Sequence, residues 1–189
     1  AQVPGAQHRH DDESDEQGEF VADGNLEYSQ MWYRLDQYQK DGFLNMIKIA
    51  DTWKGGFLCD GVGLGKTHVG LTILEKLAAF DRKRVLLISP KSVHDAVWAH
   101  ELEGKLGHLY TKRGMGNIHA IKKTDLINLE ESEAEFIRNY FDAIVIDEGH
   151  HFRNRQKNQS YEALRSIIND GPNGTKQVFF LTATPINND

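Results

Sequence analysis

Three short stretches of the sequence gather residue types suited to phosphate chemistry. The first is DGVGLGKT at 60–67, between the apolar run GFLCD and an amphipathic segment beginning near Lys66. Glycines at 61, 63 and 65 let successive backbone N–H groups turn inward around phosphate oxygens, and the N-terminus of a following helix adds its positive dipole end. Lys66 is then placed to reach the β- and γ-phosphates of a nucleotide, and the Thr67 hydroxyl to hold Mg²⁺. This is a P-loop with one departure, because the pattern GxxxxGK(S/T) asks for glycine where the chain has Asp60. A glycine-rich turn with no ligand is the plain alternative.

The second stretch, AIVIDEGH at 143–150, is an apolar run that delivers two acids at its end. In an open α/β sheet that end is where ligands bind. Asp147 would face the magnesium ion directly or through water, and Glu148 would act as general base on the attacking water. Acids closing a strand are otherwise simply solvated. His150 and His151 point apart as neighbours and have no nearby Cys/His partner, which argues against zinc. The third stretch, LTATPINN at 181–188, ends a strand in a threonine-rich turn. Thr182 and Thr184 are placed there to contact the acids and relay nucleotide state, or Pro185 merely stops the ladder.

Positioning these groups requires alternating strands and helices. LDQYQKDGFLNMIKIADTW (35–53) has largely helical spacing, interrupted at Gly42. Strand-like runs follow at 56–60, 84–90, 143–148 and 177–183, with helices over 65–80 and 93–102 and a polar stretch of mixed character before 143. Strands apolar on both faces and separated by helices predict an α/β fold, a mostly parallel sheet with helices on both faces and right-handed crossovers.

With 189 residues, 39% hydrophobic and 26% charged, the chain falls in the range of a single soluble globular domain. No apolar run reaches the roughly 18 residues of a membrane span, and no secretory leader is visible. The one cysteine, Cys59, excludes an intrachain disulfide and fits a reducing compartment. The net charge of −6 is unevenly spread: residues 1–30 carry eight acids against Arg9 alone. Removing those from the chain's 28 acids and 22 bases leaves 20 against 21, so residues 31–189 are nearly neutral and a nucleic-acid partner is not excluded. Residues 1–30 read as a disordered acidic arm, unable to offset ordering entropy by burial.

These motifs carry a resemblance. The sequence resembles the first RecA-like lobe of a superfamily 2 helicase or translocase, most of all the Swi/Snf-type DNA translocases, over roughly residues 35–188. That family writes its phosphate loop with an acid before GLGKT, which accounts for Asp60. DEGHHFRN (147–154) is similar to its DEAH box followed by a basic residue and asparagine, Arg153 and Asn154, with Gly149 for the usual alanine. LTATPINN resembles motif III as bacterial relatives write it. LDQYQKDGF resembles the element whose glutamine, Gln39, reads the adenine edge. LLISPKSVHDAVWAHEL (86–102) is similar to motif Ia, which lies along the nucleic-acid backbone.

The resemblance implies a RecA-like P-loop NTPase domain at 31–189 that uses ATP and Mg²⁺. Its catalytic residues would be Lys66, Asp147 and Glu148, and Thr67 and Asp147 would hold the metal. Gln39, Gly61, Gly63, Leu64, Gly65, Lys66, Thr67 and His68 would bind nucleotide, His150, Thr182 and Thr184 would couple, and Pro90, Lys91 and Ser92 would meet nucleic acid. Trp98 reads as a packing residue rather than a base-stacking one, and the pairs Lys112/Arg113 and Lys122/Lys123 as a basic track or as solvated surface.

The motifs stop before any second RecA-like lobe, the expected source of an arginine finger worth about 10³ to 10⁵ in rate. The expectation is therefore an incomplete motor that hydrolyses ATP very slowly by itself. In the whole protein it would belong to an ATP-dependent translocase on double-stranded DNA, bacterial, cytoplasmic and nucleoid-associated, with no membrane contact. A strand-separating helicase, a restriction or phage-defence motor, and a non-catalytic nucleotide-binding scaffold are the alternatives.

Overall fold

Five strands, all parallel, form one sheet in the order β1-β5-β4-β2-β3 in this computed structural model, which describes residues 26–59, 65–110, 116–152, 159–168 and 175–183. They are β1 (Gly55–Cys59), β2 (Val85–Ser89), β3 (Ile118–Lys122), β4 (Ala143–Asp147) and β5 (Gln177–Thr182). Helix α1 (Gln37–Trp53) precedes the sheet. Helix α2 (residues 66–80) is α-helical over Lys66–Glu75 and π-helical over Lys76–Phe80; α3 (residues 91–106) carries a π turn at His94–Trp98. Helices α4 (Lys123–Ile127), α5 (Glu131–Tyr140) and α6 (Gln159–Ile168) follow, and short 3₁₀ turns lie at Leu26–Tyr28, Trp32–Arg34 and Gly149–Phe152.

Strand alternation sorts the core into two layers. Val85, Leu87, Val145, Phe179 and Leu181 pack on one face against Phe43, Ile47, Leu71, Leu74, Trp98 and Leu102 from α1, α2 and α3. Leu86, Ile88, Ile144 and Ile146 pack on the other with Leu126, Ile137, Leu164 and Ile167 from α4, α5 and α6. The central strands β2 and β4 are buried at every residue, the sign of a sheet covered on both sides. At the margin, Phe57 of β1 is 58% exposed and stacks on Phe180 with ring centroids 4.6 Å apart.

The sequence reading is met in class and in four of the five strands, with differences of detail. Gly42 does not interrupt α1, which runs unbroken past it; a Cβ there would stand 3.4 Å from a Leu58 methyl, at ordinary van der Waals contact. Helix α3 begins at Lys91 rather than 93, so Lys91 and Ser92 form its exposed first turn instead of a loop. The polar stretch after 102 contains β3, α4 and α5. Packed structure reaches back to Leu26 and Ser29, both buried, inside the segment read as the acidic arm. Residues 1–25 lie outside the described residues, as do Lys112 and Arg113. Among the described residues, no helix is long and apolar enough to cross a membrane.

Candidate active site

Because the strands are all parallel, their carboxyl ends share one edge. Register aligns Cys59 of β1 with Thr182 of β5, and Leu181 of β5 with Asp147 of β4. The same edge holds Ser89 at the end of β2, with Pro90 and the start of α3 behind it. The sheet order puts β5 between the strand preceding the glycine loop and the strand bearing the acids.

Gly65 ends the glycine loop with φ +80° and gives way to α2 at Lys66. Only glycine takes that backbone without strain. A Cβ at Gly65 would also lie 2.2 Å from Gln39 Nε2, so the Gln39 amide is pressed against the loop. Gln39 itself is buried at 5% exposure, and its Oε1 accepts from the Asp36 backbone N–H at 2.9 Å in the box that caps α1. Lys66 and Thr67 occupy the first turn of α2, half-buried, and the ring of His68 lies with Nε2 3.4 Å from Lys105 Nζ. Asp60, Gly61, Gly63 and Leu64 lie outside the described residues.

Across the edge, Asp147 is 6% exposed. Oδ2 accepts from the Trp98 indole Nε1–H at 2.7 Å and Oδ1 from the Glu148 backbone N–H at 2.9 Å. Burial pushes the Asp147 carboxyl above its ordinary value, with the Glu148 charge adding; the two N–H donors and the Lys66 ammonium act in the opposite direction and favour the carboxylate. Each carboxylate oxygen spends one lone pair on a donor among the described residues, and a carboxylate has roughly four such sites.

Glu148 follows with φ +53°, in the left-handed region. Its Oε2 is 3.1 Å from His150 Nδ1, and the same ring nitrogen is 3.4 Å from the Thr182 hydroxyl. The His150 ring thus lies between the Glu148 carboxylate and the Thr182 hydroxyl. Thr184 lies outside the described residues, as do Arg153, Asn154 and Pro185.

Pro90, Lys91 and Ser92 lie further along the same edge, Lys91 and Ser92 exposed. Beneath them His94 is buried, 3.3 Å from the Ser89 hydroxyl, and burial lowers its imidazole pKa and favours the neutral ring. Lys122 forms an ion pair with Asp95 at 3.0 Å, and Lys123 sits 5.8 Å from the Phe152 ring. Sequence reasoning missed the bond between Trp98 and Asp147; the only signal for it is a polar-tipped aromatic that a helix buries, which must find an acceptor.

Known proteins share this arrangement of elements. Residues 38–189 match the SNF2-related domain. The uncharacterized ATP-dependent helicase YqhH of Bacillus subtilis is 28% identical over 150 residues, covering 75% of this chain and 25% of the helicase. The DNA excision repair protein ERCC-6-like of Mus musculus is 24% identical over 203 residues, which is 94% of this chain and 16% of the mouse protein. The SWI2/SNF2 ATPase core of Sulfolobus solfataricus, solved in complex with dsDNA, has the same fold: TM-score 0.65 at 24% identity, over 82% of this chain and 33% of that one. The chain thus spans a third or less of the length of these relatives. A match running from residue 38 to residue 189, across both the glycine loop and the acid-bearing strand, makes this chain a member of the SNF2-related domain family.

Proposed function

We propose that residues 31–189 are the ATP-binding, first RecA-like lobe of an ATP-driven translocase on double-stranded DNA, with residues 1–30 as an acidic arm. The observation that carries this reading is the shared edge: β5 alone separates Asp147, at the carboxyl end of β4, from the carboxyl end of β1, the strand that precedes the glycine loop and Lys66. A DNA substrate is supported by the mouse relative's name and by the dsDNA in the Sulfolobus complex.

The residues suit a magnesium nucleotide. Thr67 offers a hydroxyl, and Asp147 offers a carboxylate whose donors leave lone pairs available. These two would hold Mg²⁺, which would supply neutralisation of the phosphate charge. Gly61, Gly63, Leu64, Gly65 and His68 would line the phosphates, with Lys66 against the outer two, and Gln39 would turn its amide to the adenine edge. Glu148 would take the proton of the attacking water. His150, between Glu148 and Thr182, would pass the state of that carboxylate to β5, with Thr184 beyond it. Pro90, Lys91 and Ser92 would meet DNA phosphates, which position a protein without reading sequence.

A second RecA-like lobe of the same protein would close over the nucleotide and supply an arginine worth about 10³ to 10⁵ in rate, so this chain alone turns over slowly. A bacterial, cytoplasmic and nucleoid-associated location goes with such a substrate. Titration with a fluorescent ATP analogue tests the reading. Lys66→Ala should weaken binding at least about tenfold, whereas Glu148→Gln should keep binding and lose residual turnover. Equal binding by the parent and both variants would instead indicate a non-catalytic module. In the whole protein, stronger ATPase stimulation by duplex DNA than by single strands or RNA is expected.

A further inference from the structure

Trp98 is the largest fully buried side chain among the described residues, and its environment is more specific than core packing requires. Its indole N–H is spent on Asp147 Oδ2 at 2.7 Å rather than on a nearby backbone carbonyl. Its six-membered ring lies against the one helical glycine on that side of α2: a Cβ at Gly70 would come within 2.8 Å of Trp98 Cη2 and 2.7 Å of a Leu181 methyl. The indole is thus wedged between the helix that begins with Lys66 and Thr67 and the strand that ends in Thr182. It is fully buried there.

The helix carrying Trp98 is held at a second point. Its π turn spans His94–Trp98 and sends both ends inward, His94 to the Ser89 hydroxyl at the end of β2 and Trp98 to Asp147 at the end of β4. Single π turns inside α-helices interrupt the regular register and recur at functional sites. One turn before this clamp stand Lys91 and Ser92, exposed at the sheet edge. The partner of Asp147 and that exposed turn thus belong to one continuous helix.

We propose that Trp98 is a positioning residue for Asp147: its indole N–H fixes the carboxylate toward the metal and ties it mechanically to the Pro90–Ser92 turn. The proposal rests on the reading of Asp147 as the metal-facing acid and goes beyond it, giving that acid a partner that reports its occupancy along α3. An N–H donor on one oxygen orients the carboxylate as an outer partner orients a metal ligand, and losing such partners typically weakens metal affinity about 10- to 100-fold.

The chain labelled with ¹⁵N has three tryptophans and hence three indole N–H signals, one of which Trp98→Phe removes and so identifies. Asp147→Asn should shift that signal and leave those of Trp32 and Trp53 in place. Adding ATPγS with Mg²⁺ should move the Trp98 indole and the Ser92 amide, whereas ATPγS with EDTA should move neither. In Trp98→Phe, which keeps an apolar ring, the Mg²⁺ needed for half-maximal nucleotide binding should rise at least about tenfold, and the Ser92 response should disappear. Asp147→Asn leaving all three indole signals unmoved would overturn the proposal even if Trp98→Phe did not fold. So would nucleotide binding with unchanged Mg²⁺ dependence in Trp98→Phe. Failure of the parent to bind Mg²⁺–ATPγS is a different result, which removes the nucleotide-site reading and this proposal with it.

Discussion

Glu75 and Ser29, 46 residues apart in sequence, are hydrogen-bonded inside the fold, the serine hydroxyl donating to the buried carboxylate on α2. The same carboxylate accepts from the backbone N–H groups of Gln30 at 3.0 Å and Met31 at 3.1 Å. Ser29 Oγ in turn accepts from the Trp32 N–H at 2.9 Å, so one acid organises the turn leading into α1 and Gln39. Glu75→Ala strands three donors, of which Ser29 and Met31 are buried, and each unmet buried donor costs about 1–3 kcal/mol. Since the turn can relax toward water, a loss of about 2–4 kcal/mol is expected in urea unfolding. Glu75→Gln keeps a carbonyl oxygen and should lose less. Hydrogen exchange at Met31 should accelerate in Glu75→Ala before the rest of the sheet is affected.

Arg84 and Asp142 join the amino ends of β2 and β4 through a two-pronged pair, Nε to Oδ2 and Nη2 to Oδ1, each at 3.1 Å, with the Arg84 backbone N–H adding a third donor at 2.9 Å. Burial alone would raise the Asp142 carboxyl; these donors and the guanidinium charge outweigh it and hold the carboxyl below its ordinary 3.8. A folded-state value below the unfolded one means the unfolded chain binds the proton more tightly. The stabilisation is therefore complete above 3.8 and is lost as pH falls through the depressed folded value. Asp142→Asn should cost about 1–2 kcal/mol at neutral pH, discounted for the partly exposed pair, and should make the acid limb of the stability profile shallower. Urea midpoints from pH 7 down to about pH 2.5 measure both.

The strands that form this edge were legible because burial leaves a plain pattern there. β2 and β4 are apolar up to their last residues, Ser89 and Asp147, because both faces are covered. The third strand was not legible. IHAIK sits at the margin of the sheet with only Ile118 fully buried, so it carries no continuous apolar run. Helix α5 hides similarly, since it buries only Ala134 and Ile137 and leaves Phe136 58% exposed, which blurs its period. Lys66 and Asp147 stand out in local motifs, whereas the Trp98–Asp147 and Ser29–Glu75 bonds join residues 49 and 46 apart and depend on how helices are rotated on the sheet. No local spacing encodes that rotation, and the π turn in α3 shifts it further. The motif suggests His150 as a coupling residue, but its place between Glu148 and Thr182 depends on the register of β4 beside β5.

Gly70→Ala ought to stabilise an ordinary helix by about 1 kcal/mol. Here the sign should reverse. The added methyl would meet Leu181 Cδ1 at 2.7 Å and Trp98 Cη2 at 2.8 Å, and while a leucine methyl can swing away, a fully buried indole cannot. Overpacking of this kind typically costs about 1–3 kcal/mol. A net destabilisation is expected in urea, together with a displaced Trp98 indole signal, because the ring can yield only by moving relative to Asp147. Gly104, which has open space at its Cβ position in the same α3, is the control: Gly104→Ala should be neutral or stabilising.

Glu148 holds φ +53°, a conformation that costs a residue with a side chain about 1–2 kcal/mol relative to the right-handed region. Such strain persists where the surroundings fix it, and it clusters at reactive positions. Here it turns the chain immediately after Asp147, so that the Glu148 N–H bonds back to Asp147 Oδ1 while its own carboxylate reaches His150. Both Glu148→Gly and Glu148→Ala delete that carboxylate and its contact with His150, so comparing them isolates the backbone. In most settings alanine is the more stable of the two, because glycine loses about 0.5–1 kcal/mol more in chain entropy on ordering. At this position the order should invert, with Glu148→Gly more stable than Glu148→Ala by about 0.5–1 kcal/mol in urea unfolding and neither variant turning over ATP. Equal or greater stability for the alanine variant would show that the acid sits here without strain and that its left-handed turn costs the fold nothing.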